Sequence, residues 1–141
     1  MKLRLVVPCA ALAVGLVAAG CGGGGEKESE GAKTACRAAA TTEPTRLPDS
    51  FPTPGEVTFT KVGKNGPTIV VDGYWSADLD KAYAGYRDHL EKAGYTILST
   101  EKEEDDAEIN YKGSGRTGQI ALREDCSEDD TTRVHITSRP V

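Results

Sequence analysis

Apolar residues recur with helical spacing in one clear stretch of the chain, residues 76–94. Wound at about 100° per residue, this stretch gathers one apolar stripe, formed by Leu79, Ala82, Tyr83, Tyr86, Leu90 and Ala93. Ser76 or Asp78 can accept hydrogen bonds from the free amides of the first turn, and Gly94 followed by Tyr95 fits a left-handed cap. The pattern predicts a helix over about residues 77–93 that packs on a core.

Six other stretches are rich in β-branched or aromatic residues, or alternate apolar with polar residues, and are predicted to be strands. They are residues 57–62, 68–75, 95–101, 107–112, 118–123 and 132–138. Asn65-Gly66 predicts a hairpin turn between the first two. In the last stretch Val134 and Ile136 alternate with His135, so one side of the strand faces the core and the other faces water.

The predicted fold is α+β, a two-layer arrangement of one helix on a mainly antiparallel sheet, in the order β-β-α-β-β-β-β. A helix about 10 Å wide covers little more than two strands at about 4.8 Å spacing, so part of the apolar side of the sheet is left over. Three solutions stay open: the sheet curls around the helix, a segment carrying Leu47 and Phe51 covers the remainder, or a groove stays open for a ligand. Trp75, at the end of the second strand, is predicted to be a core anchor.

The composition before the first strand changes twice. Residues 21–35 are dominated by Gly, Glu, Lys and Ser and are predicted to be a flexible tether. Residues 36–55 contain four prolines, which favour extended backbone, and form a Pro-rich lead-in that is either a spacer or an ordered wrap on the domain. Residues 56–141 are then a single α+β domain, in keeping with a chain of 141 residues.

The first twenty residues have the three parts of a secretory signal. Lys2 and Arg4 supply positive charge, residues 5–17 are apolar, and small residues precede Cys21. The apolar run is too short to span a bilayer comfortably as a permanent helix. The sequence Ala18-Ala19-Gly20-Cys21 resembles the lipobox of bacterial lipoproteins, whose pattern prefers Leu where this chain has Ala18. The resemblance implies that residues 1–20 are removed and that Cys21 becomes the lipid-modified first residue.

Acylation of Cys21 would anchor the protein in the cell membrane on its extracytoplasmic face, since two or three acyl chains such as palmitate hold far more firmly than one. The alternative is that Cys21 only follows an ordinary cleavage site. The glycines and polar residues after Cys21 favour the anchor, because they have the composition of a tether. With the lead-in at Phe51-Pro52-Thr53-Pro54-Gly55 and the helix end at Ala93-Gly94-Tyr95, the chain resembles small secreted bacterial lipoproteins without assigned activity.

The charge balance excludes one class of partner. The chain has 17 basic and 22 acidic residues, and loss of Lys2 and Arg4 with the signal would leave 15 basic residues and a net charge of −7. A nucleic-acid surface needs a basic patch, so no nucleic-acid partner is expected. The expected membrane contact is the lipid on Cys21, with a protein of the cell envelope as a further partner.

Cysteine usage agrees with an exported protein. Cys9 would leave with the signal and Cys21 would carry lipid, so Cys36 and Cys126 remain as a pair in an oxidising compartment. A disulfide between them is the favoured interpretation. The alternatives are two free buried thiols or a metal-binding pair, and two cysteines without neighbouring histidines make a poor zinc site.

Acidic residues are concentrated in two of the predicted turns. Because successive turns of an antiparallel meander alternate between the ends of the sheet, both turns should lie at one end, beside Cys126. We call this the acidic end, and its carboxylates are Glu103, Glu104, Asp105, Asp106, Asp125, Glu128, Asp129 and Asp130. Calcium prefers carboxylate oxygens, yet neither run has the spacing or the glycine of an EF-hand, so no metal site is predicted.

The chain lacks the common catalytic motifs. It has no Gly-x-Ser-x-Gly, no His-Glu-x-x-His and no phosphate loop. His89 falls on the flank of the predicted helix and His135 on the polar side of the last strand, so both are interpreted as surface residues. No catalytic residue, metal or cofactor is therefore predicted. The contrasting hypothesis is an enzyme assembled across loops, in which His89 or His135 would meet a carboxylate.

These observations favour a lipid-anchored extracytoplasmic module that binds a ligand or another protein, without enzymatic activity. The ligand is not specified by the sequence. One alternative is a small-molecule or lipid-binding lipoprotein with a groove between helix and sheet. The other is a structural or weakly cation-responsive protein of the cell envelope.

Overall fold

The computed structural model describes residues 33–43 and 45–141, in which one helix lies on one face of a six-stranded antiparallel sheet. The elements are β1 (Val57–Asn65), β2 (Thr68–Trp75), α1 (Leu79–Lys92), β3 (Thr96–Lys102), β4 (Asp106–Gly113), β5 (Arg116–Arg123) and β6 (Thr132–Pro140). The α+β class, the single helix on a mainly antiparallel sheet, is confirmed.

The order of strands across the sheet differs from their order along the chain. The sheet runs β1-β2-β6-β5-β4-β3, so the last strand enters between the second and the fifth. Strands β3 to β6 form a meander, β1 and β2 form a hairpin, and the β2–β6 pair joins the two units. This arrangement makes β6 and β5 the central strands and leaves β1 and β3 at the edges.

Both ends of α1 have the predicted caps. The carboxylate of Asp78 accepts a hydrogen bond from the amide of Lys81 at 2.7 Å, which satisfies one free donor of the first turn. Gly94 has φ of 78°, and the amide of Tyr95 donates to the carbonyl of Leu90 at 2.9 Å. These caps fix the length of the helix and turn the chain into β3.

The core fills the space between α1 and the sheet. Tyr86 and Leu90 of the helix are fully buried against apolar side chains of the four inner strands, which include Val71, Ile109, Ile120, Leu122, Val134 and Ile136. Trp75 is the core anchor expected from its position: it is 3% exposed, stacks edge-on against Tyr86, and donates Nε1–H to Glu56 at 3.0 Å.

The lead-in covers the apolar area that α1 leaves free. Phe51 is buried, with its ring centroid 5.7 Å from that of Tyr95 and 5.4 Å from that of Tyr111, and Leu47 packs beside this cluster. The amide of Thr41 donates to the carbonyl of Phe59, which occupies part of the exposed edge of β1. Of the three solutions left open by the sequence, the covering segment is therefore the one observed.

A disulfide joins Cys36 to Cys126, 90 residues apart, so the favoured pairing is confirmed. Contact with the domain begins by Thr34, whose amide donates to the carbonyl of Asp125 at 2.8 Å. The predicted signal peptide, most of the tether and Cys21 lie outside the described residues and stay predictions. Within residues 33–43 and 45–141, no helix has the length and apolar character needed to cross a membrane.

Candidate functional site

The side of the sheet that faces away from α1 carries polar side chains and is uncovered over its central strands. We call it the polar face. It carries Asp72 and Tyr74 of β2, Arg133, His135, Thr137 and Arg139 of β6, Thr117, Gln119, Ala121 and Arg123 of β5, and Glu108, Asn110 and Lys112 of β4. Strict alternation puts these residues on one side, because their neighbours along each strand are the core residues.

A depression of about 390 Å³ lies in the middle of the polar face. Ala121 forms its floor, because in the register of the sheet it stands directly between His135 of β6 and Glu108 of β4 and has only a methyl group. We call it the Ala121 depression, and its lining residues are Asp72, Glu108, Gln119, Ala121, Arg123, Asp125, Arg133 and His135.

One wall of the depression is a histidine–carboxylate pair. Nδ1 of His135 lies 2.6 Å from Oδ1 of Asp72 on the neighbouring strand, and both side chains are about 40% exposed, at 42% and 39%. The contact orients the imidazole and leaves Nε2 without a partner among the described residues. A depression in which His135 meets a carboxylate is the arrangement that would favour the enzyme hypothesis. The lining residues, however, include no serine, threonine or cysteine that could act as a nucleophile beside it.

A second wall is formed by two arginines on adjacent strands. Arg123 of β5 stands opposite Arg133 of β6, next to the pair formed by Ala121 and His135. Arg133 donates Nε–H to Asp125 at 2.8 Å, which balances its charge. Within the described part of the chain, Arg123 makes no side-chain ion pair or hydrogen bond. Its guanidinium is thus the cation of the depression that is available to a ligand.

The third wall is a line of hydrogen-bonded side chains that crosses from β5 to β3. Nε2 of Gln119 donates a hydrogen bond to Oε2 of Glu108 at 2.8 Å and a longer one to the side-chain oxygen Oδ1 of Asn110 at 3.4 Å. Asn110 in turn donates to the hydroxyl of Ser99 at 3.2 Å. This line fixes the rotamers of Glu108 and Gln119, so that their polar groups are held in place before any ligand arrives.

A second depression, of about 470 Å³, continues the polar face toward β3. Gly118 is among its lining residues, and so is Leu98, which is 55% exposed at a bulge of the edge strand. Its lining contains Arg139 and no acidic residue. Gln119 lines both depressions, so they form one continuous surface.

The two acidic turns lie at the same end of the sheet, as the meander predicts. The amide of Glu124 donates to the carbonyl of Asp105 at 2.8 Å, and a shallow depression there is lined by Asp105, Asp106, Arg123 and Asp125. Glu128 is engaged by protein groups: Oε2 accepts from the amide of Cys36 at 2.8 Å and Oε1 contacts Arg37. These contacts, led by the amide of Cys36, lower the pKa of Glu128.

Cys36, Asp125 and Cys126 form a group with metal-ligand chemistry at the same end. Both sulfur atoms are bonded to each other, so their thiolates are not available as ligands. The carboxylate of Asp125 is engaged by Arg133. This arrangement is a structural link and offers no argument for a metal.

The structure separates the two histidines that sequence reasoning singled out. His89 stays on the exposed side of α1, where Nδ1 lies 2.8 Å from the carbonyl of Gly85. His135 enters the Ala121 depression together with residues that sequence reasoning did not select, of which Asp72, Glu108 and Arg123 are the most important. The usable signal was the alternation on consecutive strands, which puts Ala121, Arg123, Arg133 and His135 on one side of one hairpin.

No protein-family model, no curated protein and no solved structure matches this chain. The functional conclusion therefore depends on the chemistry of the polar face alone. That face offers a free guanidinium, a fixed carboxylate, an oriented imidazole and an amide around a small open depression, which is a set of groups for binding a charged small molecule.

Proposed function

We propose that the protein is a lipid-anchored extracytoplasmic binding module, held on the outer side of the cell membrane through Cys21, which binds its ligand on the polar face. The observation that carries this proposal is the Ala121 depression, where charged groups on four strands surround a floor that has only a methyl group. The tether and the disulfide at Cys36 would keep this face close to the membrane surface.

The packing of the opposite side supports the same choice. Between α1 and the sheet, Phe51, Tyr86 and the apolar side chains of the inner strands fill the space. This filled core gives no support to the alternative of a small-molecule or lipid groove between helix and sheet. Glu128 and Asp125 are engaged by protein groups, so these two carboxylates give no support to a cation-responsive structural role.

Binding without catalysis is the form of the proposal. Asp72 orients the imidazole of His135, yet the residues that line the depression include no serine, threonine or cysteine. Arg133, Glu108 and Gln119 are held by hydrogen bonds and Arg123 is available, a set of groups that suits recognition by charge and hydrogen bonding. An interaction with the exposed charged tail of another envelope protein is the macromolecular form of the same function.

The anchor is tested by replacing Cys21 with serine in the full-length chain. The variant should appear in the soluble extracytoplasmic fraction and should lack the mass of the acyl chains, because the hydroxyl of serine is not acylated at a lipobox. Cys9→Ser is the matched control, since Cys9 would leave with the signal, and it should fractionate with membranes as the original chain does. A Cys21→Ser product that stays in membranes at the full lipidated mass would overturn the anchor.

The binding face is tested by amide chemical shifts of the detergent-solubilised full chain. An envelope extract of the producing cells, separated into fractions below and above about 1 kDa, is added, and the shift changes are mapped on the sheet. Saturable changes centred on Ala121, Arg123 and His135 support the proposal. Changes confined to the outer side of α1, or none with either fraction, overturn it.

A further inference from the structure

We propose that the ligand of the Ala121 depression is a small zwitterion of the amino-acid class, which carries one carboxylate and one ammonium group. The inference rests on the binding function proposed above and adds the chemical class of the ligand. It is carried by the opposite charges of the two groups that remain available there, the guanidinium of Arg123 and the carboxylate of Glu108.

The carboxylate of the ligand would bind above a square of four neighbouring side chains on β5 and β6. Ala121 and Arg123 of β5 stand opposite His135 and Arg133 of β6, so three basic side chains surround one methyl group. Like charges directly opposite each other on adjacent strands are destabilising. Arg133 is ion-paired with Asp125, whereas Arg123 has Asp106 opposite it on β4 without an ion pair between them among the described residues. An oxyanion above Ala121 would accept hydrogen bonds from Arg123, and from Nε2–H of His135 when the imidazole is protonated, and it would offset the repulsion between the two arginines.

The ammonium group of the ligand would bind the carboxylate of Glu108. Glu108 lies across Ala121 from His135 in the same cross-strand row. Oε2 accepts a hydrogen bond from Gln119 at 2.8 Å, whereas Oε1 has no partner among the described residues. A carboxylate held by one oxygen, with the other free toward the depression, is suited to accept an N–H from an ammonium group.

The spacing of the two sides selects a short ligand. His135 and Glu108 stand on strands separated by one other strand, so their backbones are about 10 Å apart, and both side chains line the depression between them. The volume of about 390 Å³ admits a molecule of this size. A simple anion would leave Glu108 unpaired and close to the bound charge, so a ligand with both charges fits better than one with a single charge.

The remaining acids of the depression do not compete for the ammonium group. Asp72 is paired with His135 at 2.6 Å, and Asp125 is paired with Arg133 at 2.8 Å. Arg133 balances the charge of Asp125, and the carboxylate of Asp72 is held by its contact with the imidazole. The depression thus presents one free cation and one free anion to a ligand, on opposite sides of Ala121.

The test uses the full chain in detergent, with L-alanine as the zwitterionic probe. Propionate lacks the ammonium group, and L-alaninamide lacks the carboxylate. We expect saturable amide shifts at Ala121 and its neighbours with L-alanine, binding at least about fivefold weaker with propionate, and at least about tenfold weaker with L-alaninamide. L-alanine and propionate binding equally well would overturn the assignment of Glu108 and with it the zwitterion.

Three variants locate the site, and one serves as control. Arg123→Gln should weaken L-alanine binding about tenfold, and Glu108→Gln should remove the difference between L-alanine and propionate. Ala121→Leu should block binding, with Ala121→Thr as a smaller replacement that keeps strand propensity should the larger one unfold the sheet. Lys112→Gln removes a charge from the same face outside the depression and should change nothing.

The two proposals fail in different ways. If the envelope extract shifts the polar face while L-alanine produces no saturable change up to about 20 mM, the zwitterion is overturned and the binding function stands. If neither the extract nor L-alanine shifts the polar face, both are overturned. If Arg123→Gln and Lys112→Gln weaken L-alanine binding equally, the effect is general surface charge and the assigned site is wrong.

Discussion

Gly85 of α1 lies so close to Trp75 of β2 that a Cβ atom on it would stand 2.5 Å from Cη2 of the indole. The helix therefore meets the flat ring with backbone alone. The indole is itself fixed by Tyr86 and by its hydrogen bond to Glu56, so it has little freedom to move away. The glycine that weakens the helix locally is what permits its close packing.

Gly85→Ala should destabilise the protein by about 1 to 2 kcal/mol. The substitution improves helix propensity by about 1 kcal/mol, but overpacking against the indole costs more than that. Urea denaturation followed by tryptophan fluorescence measures the difference, since Trp75 is the only tryptophan of the chain. Gly55→Ala is the control, because its Cβ meets nothing within 4 Å, and it should stay within about 0.5 kcal/mol. A Gly85→Ala variant with the same free energy of unfolding as the original chain would contradict this packing of Gly85 on Trp75.

Removal of the hydroxyl group from two buried tyrosines should change the stability of the protein in opposite directions. The hydroxyl of Tyr86 is buried without a hydrogen-bond partner among the described residues, whereas that of Tyr111 donates to the carbonyl of Thr137 at 2.9 Å. Tyr86→Phe should raise the free energy of unfolding by about 1 kcal/mol, and Tyr111→Phe should lower it by a similar amount. Denaturant midpoints of the two variants check this, and equal signs for both would contradict it.

The same tyrosines predict loss of stability at alkaline pH. Burial raises the pKa of Tyr111 to about 12 and also raises that of Tyr86. Between the unfolded value of 10.0 and the folded value, the unfolded chain releases protons that the folded chain keeps. Stability is therefore fully present below about pH 10 and falls as the pH rises toward 12. The slope is measured from urea denaturation across this range, and the double variant with phenylalanine at both positions should show a shallower slope.

The disulfide is predicted to be a major source of stability. Its loop of 90 residues corresponds to about 4 to 5 kcal/mol in the chain-entropy model. Replacement of Cys36 and Cys126 with serine should lower the free energy of unfolding by about that amount, and dithiothreitol should act on the original chain but not on the variant. If reduction left the denaturation midpoint of the original chain unchanged, the disulfide would not contribute to the stability of the folded state.

The burial of Phe51 indicates that the lead-in is part of the folded domain. Phe51→Ala would remove the ring that packs between Tyr95 and Tyr111, and it should cost about 3 kcal/mol. It should also make residues 41–50 more sensitive to limited proteolysis. Leu47→Ala, at a half-buried position beside the same cluster, is the milder comparison and should cost about 1 kcal/mol. Equal cleavage of all three chains would contradict an ordered wrap.

Local patterns were sufficient for most elements of the fold. Alternation such as Val134, His135, Ile136 depends only on neighbouring residues, and the caps at Asp78 and Gly94 act within one helical turn. The order of the strands was not accessible in this way. The pairing of β6 with β2 joins residues that are more than 60 positions apart in the chain, such as Ile69 and Ser138. It depends on how the apolar surfaces of distant segments fit together, and the local sequence pattern does not predict it.

The candidate site shows the same division. Alternation places His135 and Arg123 on the polar side, and the hairpin of β5 and β6 brings them together through a local connection. The pair formed by His135 and Asp72 depends on β2–β6 pairing across 63 residues. Glu108 reaches Ala121 only because the registers of β4 and β5 align them, and one residue of slip would have moved it to the core side.

The position of the disulfide also decides how the domain would respond to a mechanical pull. Tension that arrives along the chain ahead of Cys36 passes through the sulfur bridge to Cys126, in the loop between the two central strands. The load would then be shared by strands hydrogen-bonded on both sides, while residues 37–55 and the edge strand β1 stay slack. With the anchor proposed at Cys21, such a pull would load the middle of the sheet and not its edge.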